Sequence, residues 1–396
     1  MSERGQPVVS AKASASASTG TSASASASAS ASASASASTD TSARAVANAR
    51  VCTGTSASAA EIALAIEVLA QQGLVAFPTE TVYGLGADAE SALAVERIYQ
   101  AKGRPSNHPV IVHVTPEADL LYWAASVPPE AQLLIDAFWP GPLTLILKRA
   151  AHISSVVSGG QDSIGLRCPS HPLAQALLRG FAATRASGQG GVAAPSANKF
   201  GQVSPTTAAH VRHEFPELVA QGMPVLEGGA SDVGIESTIV DLSRLDQGVG
   251  PVLLRPGHIT AAQVAAALNQ EVAAPDARAP RVSGALKSHY APHTQLRLLS
   301  LAELPDVVAA QKAKLEPGQR VAVVTHTPQG KALEPNEQLD WITLPNDPAA
   351  YSRVLYATLR ALDQQGYSQL LWQQPPTGLE WAGVQDRLGR AAAGFS

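Results

Sequence analysis

The apolar run Leu74-Val75-Ala76-Phe77 leads straight into Pro78-Thr79-Glu80-Thr81-Val82-Tyr83-Gly84-Leu85-Gly86. Four apolar residues between Gly73 and Pro78 read as a short buried strand. Two threonines, a glutamate and a tyrosine crowd its end, where the spacing predicts a backbone turn on the glycines. Open α/β sheets place their ligands at such strand ends. The hydroxyls are too many and too close for an apolar core, while Val82 and Leu85 hold the segment down against the fold. This stretch therefore predicts one wall of a binding site in an α/β protein.

The rest of the chain agrees with that class. Ser58-Ala59-Ala60-Glu61 has capping-box spacing, and Ile62, Ile66 and Leu69 follow at helical intervals before Gly73. Strands are expected at Leu74–Pro78, Val110–Val114, Leu143–Leu147, Ile164–Arg167, Ser237–Leu242 and Val252–Leu254. Helices are expected at Ala89–Ala101, Leu120–Ala125, Glu130–Phe138, Pro172–Leu178, Thr206–His213 and Thr260–Leu268. Several strands follow one another directly. The pattern predicts a twisted open mixed sheet rather than a regular doubly wound fold. Residues 270–295 carry Pro275, Pro280 and Pro292 without periodicity and read as a linker. Beyond it, strands near 296–299, 320–324, 339–344 and 369–372 interleave with helices near 301–314, 349–365 and 381–393. A second, smaller βαβ, Rossmann-like domain is expected at 296–396, behind a first domain at 58–269.

Residues 1–57 are dominated by Ser-Ala alternation. Alanine supplies too little apolar surface to offset the ordering entropy, so this segment is expected to be a disordered tail. The two cysteines, Cys52 and Cys168, support no disulfide framework and no metal site, and a cytoplasmic protein is expected. Cys168 reads as a small buried hydrophobe. No run approaches the ~20 apolar residues of a membrane helix. A net charge of −4 argues against a broad nucleic-acid face.

Chemistry concentrates at strand ends. Lys102-Gly103-Arg104-Pro105-Ser106-Asn107-His108-Pro109 offers two cations and several donors, suited to a polyphosphate, although taken alone the segment reads more readily as a solvated loop. His113 lies inside an apolar strand, as a satisfied core residue or facing a cleft. Arg167 ends a strand and needs a partner: a ligand carboxylate, Asp162, or another acid. Pro195-Ser196-Ala197-Asn198, Glu236-Ser237-Thr238 and Arg255-Pro256-Gly257 each close or open a strand. The chain has no Walker-type phosphate loop, no Gly-x-Gly-x-x-Gly between strand and helix, and no His-Glu-x-x-His.

Taken together, Pro78–Gly86, Lys102-Gly103-Arg104-Pro105, Phe138–Thr144, Ala194–Asn198, Glu236–Asp241 and Leu254–Gly257 resemble the YrdC-type L-threonylcarbamoyladenylate synthases in order and spacing. The resemblance covers roughly residues 58–268. His289-Tyr290-Ala291-Pro292 resembles the linker signature of the long form, which carries an extra C-terminal domain. Such enzymes condense L-threonine, bicarbonate and ATP into threonylcarbamoyl-AMP and pyrophosphate, with Mg2+ accompanying the ATP, and the product modifies tRNA beside the anticodon. The resemblance implies that Thr79, His113, Arg167, Ser196 and Ser237 hold threonine. It implies that Lys102, Arg104, His108, Ser163, Ala194, Ser196, Asn198, Ser204 and Arg255 line the ATP site, with Lys102 and Arg104 as the catalytic cations. His289 and Tyr290 belong to a linker lid, and no protein metal site is implied. His108 departs from the asparagine of some members, and Ser283-Gly284-Ala285-Leu286-Lys287 replaces the commoner Pro-Gly-Met-Lys-Tyr. The product would pass to the tRNA threonylcarbamoyl-transfer machinery, with weak double-stranded RNA or tRNA binding. An RNA-binding or ribosome-maturation module is the alternative on the same fold, and it wants a basic face with exposed aromatics.

Overall fold

The computed structural model describes residues 56–327 and 337–395, so all but the end of the expected Ser-Ala tail lies outside the described residues. The first helix, Ala59–Ala70, starts on the capping box read from the sequence: Ser58 Oγ accepts from Glu61 N, and the Glu61 carboxylate accepts from Ser58 N at 2.8 Å. Such a cap stabilises a helix by about 1 kcal/mol.

Eight strands form one mixed sheet: β1 (Val75–Phe77), β2 (Gly84–Asp88), β3 (Ile111–His113), β4 (Leu143–Lys148), β5 (Ser163–Arg167), β6 (Val192–Ala193), β7 (Thr238–Asp241) and β8 (Val252–Arg255). Their order is β1-β2-β6-β3-β5-β4-β7-β8. Parallel pairs (β3 with β5, β4 with β7) alternate with antiparallel ones. This is the mixed sheet that the consecutive strands imply.

Strand β2 was not expected. Gly84 and Gly86 read as a turn, yet both lie in a strand paired antiparallel with β1, Phe77 opposite Gly84 and Val75 opposite Gly86. The glycines serve close approach rather than turning. A Cβ on Gly86 would sit 2.8 Å from both the Phe77 ring and a Val192 methyl. The turn falls earlier, at 78–83, and its polar residues are nearly all buried: Thr79, Glu80, Thr81 and Tyr83 are 2%, 6%, 0% and 0% exposed.

The helices flank this sheet. Ala92–Lys102 begins three residues later than expected, because Ser91 caps it by accepting from Ala94 N. It ends on Gly103, whose φ of +62° no other residue adopts readily. Pro172–Ala183 runs five residues past the expected Leu178, buried through Leu177, Leu178 and Phe181 against the first helix.

After the helix Ala261–Leu268 the chain is irregular until β9 (Leu296–Leu299). Strands β9, β10 (Val321–Thr325), β11 (Leu339–Thr343) and β12 (Gln369–Gln373) then form an all-parallel sheet in the order β11-β10-β12-β9. Helices Leu304–Lys312, Pro348–Asp363 and Ala382–Ala392 accompany it. One apolar cluster joins the two sheets: Val82, Val203, Ile235 and Tyr290 pack with Tyr356, Trp381, Val384 and Leu388.

Candidate active site

The polar strand ends converge. Thr79, Arg104, His113, Arg167, Ala194, Ser196, Ser237 and Arg255 line one cavity, closed on one side by Ser283, Gly284, His289 and Tyr290 of the linker. It encloses about 510 Å³ of empty space, part of it open to solvent. Ten of the fifteen residues singled out by the sequence thus meet at one place. Lys102, His108, Ser163, Asn198 and Ser204 do not line it.

Each wall has a local cause. At the end of β1, Thr79 Oγ1 donates to Val82 O at 2.6 Å and accepts from the amides of Thr81 and Val82 at 3.2 Å. This side chain ties the turn and also lines the cavity. Thr81 shares a 2.8 Å hydroxyl contact with it. Tyr83 points away, its hydroxyl donating to Gly229 O and accepting from Gly228 N.

Parallel pairing of β3 and β5 sets His113 opposite Arg167. Arg167 does have an acid partner, but it is Glu80 rather than Asp162: Nη2 meets Glu80 Oε1 at 2.6 Å, while Asp162 lies 3.8 Å from Arg149. Glu80 Oε2 accepts from Ser170 N at 3.1 Å. Arg167 Nε and His113 Nδ1 are both buried without a hydrogen-bond partner among the described residues. Buried donors and acceptors are ordinarily paired. Two orphans on neighbouring strands, facing one cavity, mark a place for a polar ligand. Burial, with the adjacent Arg167 cation, lowers the His113 pKa to about 3, so its ring is neutral at physiological pH.

The second wall carries cations. Arg255 Nε donates to Ser237 O at 3.0 Å and Nη2 to Ser237 Oγ at 3.1 Å, and that hydroxyl also lies 2.7 Å from Thr144 Oγ1. Arg104 Nη2 donates to Pro109 O at 2.8 Å and to Ser283 Oγ at 3.0 Å. Arg255 Nη1 donates to Ser283 O at 2.9 Å. One linker serine therefore holds donors from both arginines. Burial lowers the Arg104 pKa to about 10, still charged at neutral pH.

Lys102 stands behind this wall. Its ammonium donates to Ser196 O at 2.6 Å and to Asn198 O, fixing the loop that presents Ser196. Burial and the nearby Arg104 charge push its pKa well down. Asn198 Nδ2 donates to Lys199 O and Gln202 O, holding the same loop. Ser163 lies in an adjoining hollow with Val282 and Arg281. His108 packs edge-on against Phe200 at 5.3 Å. Cys168 is buried, and burial pushes its thiol up to about 11, away from any nucleophilic role.

Sequence reasoning missed two acids. Glu80 was part of the opening segment but was given no role. Glu236 lines the cavity and accepts from Ser204 Oγ, from Tyr356 Oη at 2.9 Å and from Arg387 Nε at 2.9 Å. Burial raises its pKa, yet Arg387 and Arg255 outweigh that and bring it to about 2. The signal in the sequence was only that Glu236 begins a strand-opening motif. Its partners Tyr356 and Arg387 lie more than a hundred residues away, and Ser204 lies 32 away.

The linker backbone is tightly constrained. Gly284 has φ +76°, and a Cβ there would fall 2.1 Å from the Tyr290 hydroxyl. Tyr290, itself at φ +60°, is 1% exposed and packs edge-on against His289 at 4.2 Å. Among the described residues, no group of three His, Cys, Asp or Glu side chains is arranged to hold a metal ion. No helix among them is long and apolar enough to cross a membrane.

Comparison with known proteins identifies the family. The Sua5/YciO/YrdC family model, described as telomere recombination, matches residues 67–257, and a model described as the threonylcarbamoyl-AMP synthase C-terminal domain matches residues 259–393. The chain is 36% identical over 345 residues to the threonylcarbamoyl-AMP synthase of Bacillus subtilis, covering 84% of this chain and 93% of that protein. It is 32% identical over 350 residues to the Pyrococcus abyssi threonylcarbamoyl-AMP synthase, covering 85% and 94%. The crystal structure of P. abyssi Sua5 complexed with L-threonine shares its fold at a TM-score of 0.72 and 31% identity, covering 84% of this chain and 94% of that one.

Proposed function

This chain belongs to the threonylcarbamoyl-AMP synthase family, and we propose that the cavity between β3, β5 and the linker is where it joins L-threonine, bicarbonate and ATP. The observation that carries the site assignment is the pair of orphaned groups, Arg167 Nε and His113 Nδ1. A guanidinium with one face on Glu80 and Nε free suits the threonine carboxylate. A neutral imidazole beside it suits the amine or the side-chain hydroxyl. Thr79, Ser196 and Ser237 complete the threonine side.

The reaction begins when the neutral amine of threonine takes up bicarbonate with loss of water. A carboxylate oxygen of the resulting carbamate attacks the α-phosphorus, and pyrophosphate leaves. An anion thereby approaches a polyanion, so cations must offset both charges. Arg104 and Arg255 face the cavity for this purpose. The donors they now give to Ser283 are those a phosphate would take, so nucleotide entry requires the linker segment 281–284 to withdraw. Lys102 and Asn198 serve ATP through the loop they hold, with Ser204 on Glu236, Ser163 in the adjoining hollow, His108 against Phe200, and the Ala194 backbone in the wall. No covalent nucleophile is needed, since orientation alone lowers such a barrier by ~7–11 kcal/mol. Return of His289 and Tyr290 over the filled cavity would shield the labile mixed anhydride from water.

Magnesium finds no free carboxylate beside the cavity. Both oxygens of Glu80 and of Glu236 are engaged. Mg2+ would be held by the ATP phosphates, where it would supply charge neutralisation. The product would pass in the cytoplasm to the machinery that transfers threonylcarbamoyl to tRNA. The cations at this site offer the RNA-binding alternative no basic face, because Lys102, Arg104, Arg167 and Arg255 are all buried.

The test is pyrophosphate release by the purified full chain with each reactant withheld in turn. Release and threonylcarbamoyl-AMP are expected only when ATP, threonine and bicarbonate are all present. Release indifferent to threonine would overturn the proposal.

A further inference from the structure

We propose that Arg387 of the C-terminal domain is a positioning residue for the synthase site, acting through Glu236 on the two loops that present Ser237 and Arg255. This inference rests on the site assignment above. Arg387 is 1% exposed and reaches out of the helix Ala382–Ala392 into the first domain. Nε donates to Glu236 Oε2 at 2.9 Å, Nη2 to Glu236 O at 3.2 Å, and Nη1 to Pro256 O at 2.7 Å and to Asp386 Oδ2 at 2.8 Å. Two of these acceptors are backbone carbonyls. One immediately precedes Ser237, and the other immediately follows Arg255. A single planar guanidinium thus bridges the start of β7 and the end of β8 at the edge of the cavity.

The fixed fork of donors matters more than the charge. A guanidinium satisfies a carboxylate oxygen and two carbonyls at set angles, whereas an ammonium offers a compact point charge. Tyr356, from the helix Pro348–Asp363, adds a second C-terminal-domain donor on Glu236 Oε2 at 2.9 Å. The guanidinium also lies 5.6 Å from the Tyr290 ring centre, so the same group underlies the linker. The strands of the second sheet carry none of the cavity-lining residues, yet its helices hold the wall on which Ser237 and Arg255 stand. On this reading the domain is part of the site's support, and removal of one side chain distinguishes support of the site from general stability.

The experiment is steady-state kinetics of the full chain carrying Arg387→Lys or Tyr356→Phe, with folding checked by thermal unfolding. Arg387→Lys keeps a cation beside Glu236, so the fold persists, but it cannot bridge both carbonyls. The KM values for ATP and for threonine are expected to rise about tenfold, with a smaller rise, about threefold, for Tyr356→Phe. A loss confined to active fraction, with kcat lowered and both KM values at wild type, is the mark of a merely structural role and would overturn the inference, as would fully wild-type kinetics. Should Arg387→Lys unfold, Tyr356→Phe, which retains the ring, decides by the same KM criterion. A wild-type chain that forms no threonylcarbamoyl-AMP would instead overturn the site assignment beneath it.

Discussion

The two sheets treat charge in opposite ways. Around the eight-stranded sheet, Arg167 and Arg255 are buried at strand ends and Lys102 and Arg104 at the end of the helix Ala92–Lys102, each held by a carbonyl, a hydroxyl or an acid. The four-stranded sheet has an apolar interior of Val321, Val323, Leu370 and Leu371, and the ion pair at its edge, Arg320 before β10 with Asp340 in β11, is partly exposed. Buried cations are expensive to maintain and are kept only where partners or function require them. The difference agrees with the proposed site in the first sheet and with a second sheet that acts through the side chains its helices send across.

Substitutions sharpen that contrast. The largest effect is expected at Arg255→Ala, which removes a cavity cation and frees Ser237: kcat/KM for ATP should fall by about 10²–10³-fold. A change under tenfold in pyrophosphate-release kinetics would move the phosphates elsewhere. Arg167→Ala comes next. The threonine KM should rise by roughly 10- to 100-fold, the scale of a charge-assisted hydrogen bond, with the ATP KM little altered. An unchanged threonine requirement would remove Arg167 from the site.

The acid limb of stability is a third, smaller handle. His113 is depressed from 6.5 to about 3 by burial and by Arg167. The unfolded chain therefore binds this proton at higher pH than the folded chain. The stability from a neutral His113 is complete above about pH 6.5 and declines as pH falls toward 3, by at most about 1.4 kcal/mol per pH unit. Urea unfolding should show wild type losing more stability than His113→Asn between about pH 7 and about pH 5; parallel losses would contradict the buried neutral ring. The smallest effect belongs to the second sheet. Tyr367→Phe removes the 2.8 Å bond to Asp340. It should cost about 1 kcal/mol of stability or less and leave both KM values at wild type. Altered kinetics there would erase the distinction between the sheets.

Much of this contrast was legible in the sequence because strand ends are local. The runs ending in Arg167, Ser196 and Arg255 needed only apolar patterning to be placed. The pairing of their charges was not legible. Glu80 meets Arg167 across 87 residues, and Glu236 meets Tyr356 and Arg387 across 120 and 151. Nothing within reach of a periodicity window reports such contacts. Strand β2 was missed for a different reason. Glycine signals a turn by its backbone freedom, but at Gly86 the Phe77 ring and the Val192 side chain leave no room for a Cβ, and at Gly84 a Cβ would be tight against Ala194 at 3.2 Å. Lys102, read as a catalytic cation, has its ammonium on two carbonyls, a use that sequence spacing does not distinguish from phosphate binding.

The central claim is that threonine binds where Arg167 and His113 lack partners. A crystal structure of the chain with L-threonine and a non-hydrolysable ATP analogue tests it most directly. The account predicts the threonine carboxylate within hydrogen-bonding distance of Arg167 Nε, the amine or hydroxyl at His113 Nδ1, and the α-phosphate facing Arg255 with Ser283 displaced. Threonine bound elsewhere, with Arg167 Nε and His113 Nδ1 still unpartnered, would contradict it.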